Sequence, residues 1–421
     1  MQQLPLDIVV RRIAPYIGAT GVAVLRSLNH GWRGAMDAAA AWCVWRCADL
    51  RRGRAVLSPD AVQYLVIDMR TSVPAGIVPM ADAAHAPFLL YGALNDGLCN
   101  ARSTTGLRPS TLWLYWGALR TDIEQTDALL SLLWDHLADP RCRVTDLRLR
   151  IEQQSVRPDH VATLARRCAT MALRSLAVDV CDVSLQPLLA YAAVAPALHT
   201  LCLGLHIHQR LFVGPLRVMF RSQEEASPCT RVLRDVTIRL HGDGVPYPFP
   251  IDLLSWLSTN APEVHRLRIQ LHGSLLWPSA TTLAPVELPR LDYLCIDVSH
   301  SGLCAGDIGA FLGAFHRCRA LRTLHVHAEG NDLGSTWWKH LAAALMHDDE
   351  VWARDLGELR LWLAQNPRCP PPGPTFRLSP ITHVHDGLDR GSFLGVFHRC
   401  RALSLRAEDN DDVDGTAVWT M

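Results

Sequence analysis

The chain has 421 residues, 41 basic and 41 acidic, with 49% hydrophobic and 19% charged residues. That length allows two or three ordinary domains or one extended repeat array, and the apolar content excludes general disorder. A net charge of zero excludes a global field that draws the chain to nucleic acid or an anionic membrane, and no apolar run reaches the roughly 18–20 residues of a spanning helix.

The first element is "LPLDIVVRRIAPYI", from Leu4. It is too short and too charged for a conventional signal peptide. Pro5 suits the first turn of a helix, where its missing N–H has no partner to lose. Ile8, Val9, Ile13 and Ile17 then form an apolar stripe. "GATG" (18–21) reads as a turn, and "VAVLRSLNHGWRGAM" as a second amphipathic helix with Val22, Leu25 and Leu28 on one side. A third helix is expected around "MDAAAAWCVW". Such a unit is too small for a generous core of its own.

From there on, L-x-x-L-x-L recurs, with Val or Ile allowed. Weak copies stand at "VQYLVI" from Val62, "STLWLY" around Leu112 and "VTDLRL" ending at Leu149. Clear ones follow as "LRSLAV" from Leu173, "LHTLCL" from Leu198, "LRDVTI" from Leu233 and "VHRLRI" from Val264. "LDYLCI" from Leu291, "LRTLHV" from Leu321 and "LGELRL" from Leu356 complete the series. In L-x-L both apolar side chains point to one side of a short strand and the residue between them to the other. One such strand cannot bury its apolar side alone, so successive units must stack. Helical returns are expected in "DHVATLARRCATMAL" (159–173) and "SLQPLLAYAAVAPAL" (184–198), where apolar residues fall at three- and four-residue steps.

Residues 71–110, with Pro74, Pro79 and Pro87, read as an insertion, as does the proline-rich "PRCPPPGP" (367–374). Residues 408–421 begin with "EDNDDVD" and read as a solvated acidic tail. "FLGAFHRCRAL" (311–321) returns as "FLGVFHRCRAL" (393–403), an internal duplication. It makes His316/Cys318 and His398/Cys400 structural residues rather than nucleophilic pairs, since neither has a partner acid or oxyanion motif.

These motifs resemble leucine-rich repeats, with Cys181 where that family places Cys or Asn, and Cys318 at a family helix position. "LP-x-D-I-V-x-x-I-x-x-Y-I" followed by "LRSLNHGWR" resembles the F-box. The matching residues are Leu4, Pro5, Asp7, Ile8, Val9, Ile13, Ile17, Leu25, Leu28, Asn29, Trp32 and Arg33. Together the resemblances imply an α/β chain: a three-helix F-box-like unit at 4–48, then a repeat solenoid at 58–407 with insertions at 71–110 and 367–374, then the tail at 408–421. The expected solenoid is a horseshoe with strands on its concave face and helices on its convex face. The function implied is that of a substrate-recruiting subunit of a cullin-RING (SCF-type) ubiquitin ligase. Leu4, Pro5, Ile8, Val9 and Ile13 would dock a Skp-type adaptor, and through it cullin and a RING subunit, with Trp32 holding the helices together. The alternative is a protein-interaction scaffold whose N-terminal helices only cap the array.

On the concave face the positions beside the strand leucines include Arg148, Arg150, Arg239, Arg268, Gln270, His325, His327, Arg360 and Trp362. That mixture could receive an acidic or phosphorylated segment of an unknown protein substrate, or could be a solvated strand face. His206, His241 and His272 recur three residues past a strand residue and could form a ladder. Three such imidazoles could bind zinc, but hydrogen bonding to the turn of the neighbouring coil is the expected role. No H-E-x-x-H, P-loop, G-x-G-x-x-G or G-x-S-x-G motif occurs, so the chain reads as a non-enzyme without cofactor or metal, binding neither nucleic acid nor membrane. Thirteen scattered cysteines without a Cys-x-x-Cys pair fit a reduced intracellular protein. Lys339 is the one lysine among the 41 basic residues, which fits either a codon bias or avoidance of lysine beside a ubiquitin-transfer machine.

Overall fold

The computed structural model describes residues 42–46, 64–68, 110–116, parts of 131–137, 142–151, 158–207 except 182 and 184, 232–242, 245–246, 248–273, 275–276, 285–333, 337–347, 350–351, 356–362, 402–406 and 416–420. The chain divides into two compact units, Met1–Tyr191 and Ala192–Met421.

In the first unit, β1 (Trp42–Arg46), β2 (Tyr64–Asp68), β3 (Thr111–Trp116), β4 (Asp146–Ile151) and β5 (Ser175–Cys181) pair in chain order, all parallel. The register aligns Leu112, Leu147 and Leu176 in one row and Leu114, Leu149 and Val178 in the next. None of these six is more than 2% exposed. Removing each from water is worth about 1.5–3 kcal/mol. A parallel pair needs a crossover, and α1 (Pro158–Cys168) supplies the one between β4 and β5. Its apolar stripe buries Val161, Leu164, Ala165 and Cys168, while Asp159 in the first turn and Arg166 and Arg167 in the last complement the helix dipole. The division between the units falls within α2 (Gln186–Val194).

The second unit repeats the scheme. Its sheet takes β6 (Thr200–Ile207), β7 (Asp235–Gly242), β8 (Arg266–His272), β9 (Tyr293–Asp297), β10 (Thr323–His327), β11 (Glu358–Trp362) and β12 (Ala402–Arg406) in chain order, all parallel. β13 (Thr416–Thr420) returns antiparallel on β12, so the expected solvated tail holds a strand at its end. The crossovers carry α3 (Pro248–Asn260), α4 (Ala305–Gly313) and α5 (Trp337–Leu345). Leu201, Val236, Leu267, Leu294, Leu324 and Leu359 stand in one register row, each at most 2% exposed.

One backbone device sets this register at each strand start. A single carbonyl accepts the first two N–H groups of the next strand: His199 O from Arg234 and Asp235, Arg234 O from His265 and Arg266, Asp292 O from Arg322 and Thr323. At the far end of β8, Gly273 has φ +98, and a Cβ there would lie 2.2 Å from the carbonyl oxygen of Gly242, so only glycine fits the close stacking of the two turns. Between helices, a Cβ on Gly309 of α4 would meet the His340 carbonyl oxygen of α5 at 3.1 Å.

Every L-x-x-L-x-L motif named above coincides with a strand, and both expected helical returns contain a helix. The horseshoe does not follow. The described residues form an α/β fold in which the three strands β3–β5 of one unit and the six strands β6–β11 of the other pair only in parallel, not a leucine-rich-repeat solenoid behind a three-helix unit. The physical reason is that the motif specifies a short strand with one apolar side and a helical return. Any parallel sheet built from crossovers asks for that pattern. The first two expected helices lie outside the described residues. Where the third was expected, Trp42–Arg46 is strand β1, as the aromatic and β-branched run "WCVW" favours.

Candidate binding face

Alternation sends the residue between the strand leucines to the sheet side opposite the leucine row. In the second unit the register sorts those residues into rows across strands spaced roughly 4.8 Å apart. Asp235, Arg266, Tyr293, Thr323 and Glu358 form one row. Thr237, Arg268, Cys295, His325 and Arg360 form the second, and Arg239, Gln270, Asp297, His327 and Trp362 the third. Seven residues picked from the sequence, Arg239, Arg268, Gln270, His325, His327, Arg360 and Trp362, therefore share one side of one sheet. Arg148 and Arg150 stand on β4 of the other unit, where the Arg148 guanidinium lies 4.6 Å over the Trp113 ring. Leu4, Pro5, Ile8, Val9 and Ile13 lie outside the described residues.

A chain of polar contacts crosses this face. Tyr293, on the neighbouring strand, raises the Arg268 guanidinium above its ordinary pKa. The Tyr293 hydroxyl is 3.2 Å from His325 Nδ1, and His325 Nε2 is 3.4 Å from Glu358 Oε1. Arg360 pairs with the same Glu358 carboxylate. Burial holds His325 below its ordinary pKa despite Glu358, and burial likewise lowers His327, so both imidazoles favour the neutral form. Burial raises Tyr293, partly opposed by the Arg268 guanidinium.

His327 stacks on Trp362 with ring centroids 3.8 Å apart and planes 6° from parallel. Beside them, His272 Nε2 is 3.4 Å from Asp297 Oδ2. Burial alone would raise Asp297, but donation from His272 and Ser299 outweighs it and holds the carboxyl at about 2. The same hydrogen bond raises His272.

His206, His241 and His272 do form a ladder, with ring centroids 4.7 and 5.0 Å apart and planes within 10°. Stacked rings set their nitrogens side by side instead of aiming them at one point. Among the described residues no group of three or more His, Cys, Asp or Glu is arranged to hold a metal ion.

Between β7, β8 and β9 the face sinks into a depression of about 400 Å³ lined by Asp235, Thr237, Arg266, Arg268 and Tyr293. Cys295, beside it, is 5% exposed, and burial pushes its thiol up, away from the thiolate a nucleophile needs. Cys168 and Cys318 are fully buried and pushed by burial to about 12, in keeping with structural roles. Cys318 directs Sγ to the Val286 carbonyl oxygen at 3.6 Å, just past α4, and Cys181 directs Sγ to Ile151 O at 3.8 Å.

The residues not foreseen were Tyr293, Asp297, Glu358 and Arg266. Their signal was present, because they flank the strand's apolar pair, two residues from the between-leucine position, in "LDYLCID", "LGELRLW" and "VHRLRI". No protein-family model matches the chain, and no curated protein matches it significantly. No helix among the described residues is long and apolar enough to cross a membrane.

Proposed function

We propose that the protein is a non-enzymatic recruiting subunit: the outward face of the second unit binds a partner protein, and the N-terminal segment 4–48 docks a Skp-type adaptor of a cullin-RING ubiquitin ligase. The observation that carries the binding half is the row Arg268, His325 and Arg360, which with Trp362 sets cationic, hydrogen-bonding and aromatic groups on neighbouring strands of one sheet side. Arginine and aromatic residues concentrate binding energy at protein interfaces. Among the described residues, the thiols of Cys168, Cys295 and Cys318 are buried and raised, which suits structural roles. The adaptor half rests on the resemblance of "LPLDIVVRRI" and "LRSLNHGWR" to the F-box. An intracellular site of action accords with thirteen scattered cysteines that include no Cys-x-x-Cys pair.

The test is direct binding of purified Skp-type adaptor and of an adaptor–cullin complex to the full chain, beside a variant with Leu4, Pro5 and Ile8 changed to Ala. Binding by the wild type and its loss in the variant, with an unchanged circular dichroism spectrum, is expected. Absence of binding by both removes the ligase role and leaves the sheet face as the functional surface.

A further inference from the structure

We propose that the depression between β7, β8 and β9 seats one anionic side chain, a carboxylate or a phosphate monoester, of an extended partner segment, with Arg268 as its anchor. The proposal rests on the face being a protein-binding surface, and it names what that surface reads.

Charge matching points to this position. Each carboxylate of the three rows already has a cation or an imidazole: Asp235 has Arg266 at 4.0 Å, Asp297 has His272 at 3.4 Å, and Glu358 has Arg360 and His325. Two guanidinium groups remain without a carboxylate among the described residues. Arg239 is held by a neutral partner, donating from Nε to Gln270 Oε1 at 2.9 Å. Arg268, its diagonal neighbour on the next strand, is exposed and lines the depression beside Tyr293. A guanidinium carries five N–H donors in a planar fork able to take two oxygens of one anion.

The surroundings supply what such a seat needs. Thr237 stands opposite Arg268 and lines the depression with a hydroxyl able to donate. Arg266 stands on the same strand, and its pair with Asp235 is open to water at 71% and 47% side-chain exposure. An exposed pair of that kind is weak, so Arg266 is available to swing toward an incoming anion. Asp235 is the one carboxylate in the lining, and Arg266 stands against it.

The probe is a library of random 12-residue peptides, prepared in three forms with Ser, Glu or phosphoserine fixed at the central position, and selected on the full chain. Retention of the Glu or phosphoserine form about 10-fold above the Ser form is expected, because a charge-assisted hydrogen bond is stronger than a neutral one. Arg268→Gln should abolish that preference and Arg268→Lys should keep only part of it, because the lysine has charge without the fork. Arg319→Gln, an exposed arginine in the turn after α4, should leave it intact. Preference for phosphoserine alone assigns the seat to phosphate, and equal preference assigns it to either anion. Enrichment of peptides without any anion preference overturns the anchor while leaving the face as a protein-binding surface. Enrichment in no library overturns both.

Discussion

The Tyr293 hydroxyl and His325 Nδ1 stand 3.2 Å apart on adjacent parallel strands, and that contact fixes a direction of hydrogen bonding across the face. An ionised Glu358 has only acceptors, so the neutral His325 ring carries its proton on Nε2 and leaves Nδ1 to accept from the Tyr293 hydroxyl. The Nε2–H donates to Glu358 at 3.4 Å. The imidazole is thereby held in a single neutral tautomer. Nitrogen-15 spectra should show Nδ1 unprotonated and Nε2 protonated. Tyr293→Phe should mix the two tautomers and cost about 1 kcal/mol of stability. A protonated Nδ1 in the unaltered protein would contradict the relay.

The histidine–carboxylate pairs give the face a two-signed response to pH. The folded pKa of His272 is raised by its Asp297 hydrogen bond, so its contribution is full below the ordinary histidine value and is lost as pH rises through the raised one. Asp297 sits at about 2, so its contribution is present above the ordinary carboxyl value of 3.8 and is lost as pH falls toward 2. The pair therefore supports the fold most between about pH 4 and 6.5. His325 and His327, lowered by burial, act the other way: their contribution stands above the ordinary histidine value and is lost as pH falls through the lowered one. Urea midpoints from pH 4 to 8 should show Asp297→Asn losing stability most in the pH 4–6.5 window. An equal loss at all pH values would show that the pair does not titrate as described.

Thiol chemistry should follow burial. Cys304 is exposed at the start of α4, whereas Cys168 and Cys318 have no exposure and a pKa pushed to about 12. Alkylation of the native protein at pH 8, read by peptide mass spectrometry, should label Cys304 first and reach Cys168 and Cys318 only on unfolding. Burial and the neighbouring Asp307 raise the Cys304 thiol too, so its labelling should be slower than that of a free thiol.

Leucine spacing made the strands legible because alternation is a local property: Leu324 and Val326 face inward whatever sheet receives them. The same spacing misjudged the architecture, since stacking curvature is not encoded in which residue follows which leucine. The alanines before Trp42–Arg46 suggest a helix, whereas the aromatic and β-branched residues of the run itself favour the strand they form. Site residues chosen for being cationic or aromatic fell on the sheet face, but their partners Tyr293, Asp297 and Glu358 did not suggest themselves. Those pairings join residues about 30 apart in sequence, and only the register brings them together. An asparagine that ties neighbouring turns stands elsewhere, at Asn331, four residues beyond the end of β10.

Asn331 is 3% exposed and ties the turn after β9 to the turn after β10. Its Oδ1 accepts from Ser301 N, Ser301 Oγ and Leu303 N, each at 3.2 Å. Its Nδ2 donates to Val298 O at 2.8 Å and Glu329 O at 3.3 Å. Asn331→Ala strands two buried N–H groups, each costing about 1–3 kcal/mol, so a loss of about 3 kcal/mol is expected in urea unfolding. Asn331→Asp separates the two halves of this device. It keeps an acceptor for Ser301 and Leu303 but aims a carboxylate at the two carbonyl oxygens. Burial and those carbonyls raise the folded pKa of the new carboxyl, so its penalty should be larger at pH 8 and shrink toward pH 5 as the group gains a proton and can donate again. A penalty for Asn331→Asp that does not change with pH would place the side chain in contact with solvent rather than between the two turns.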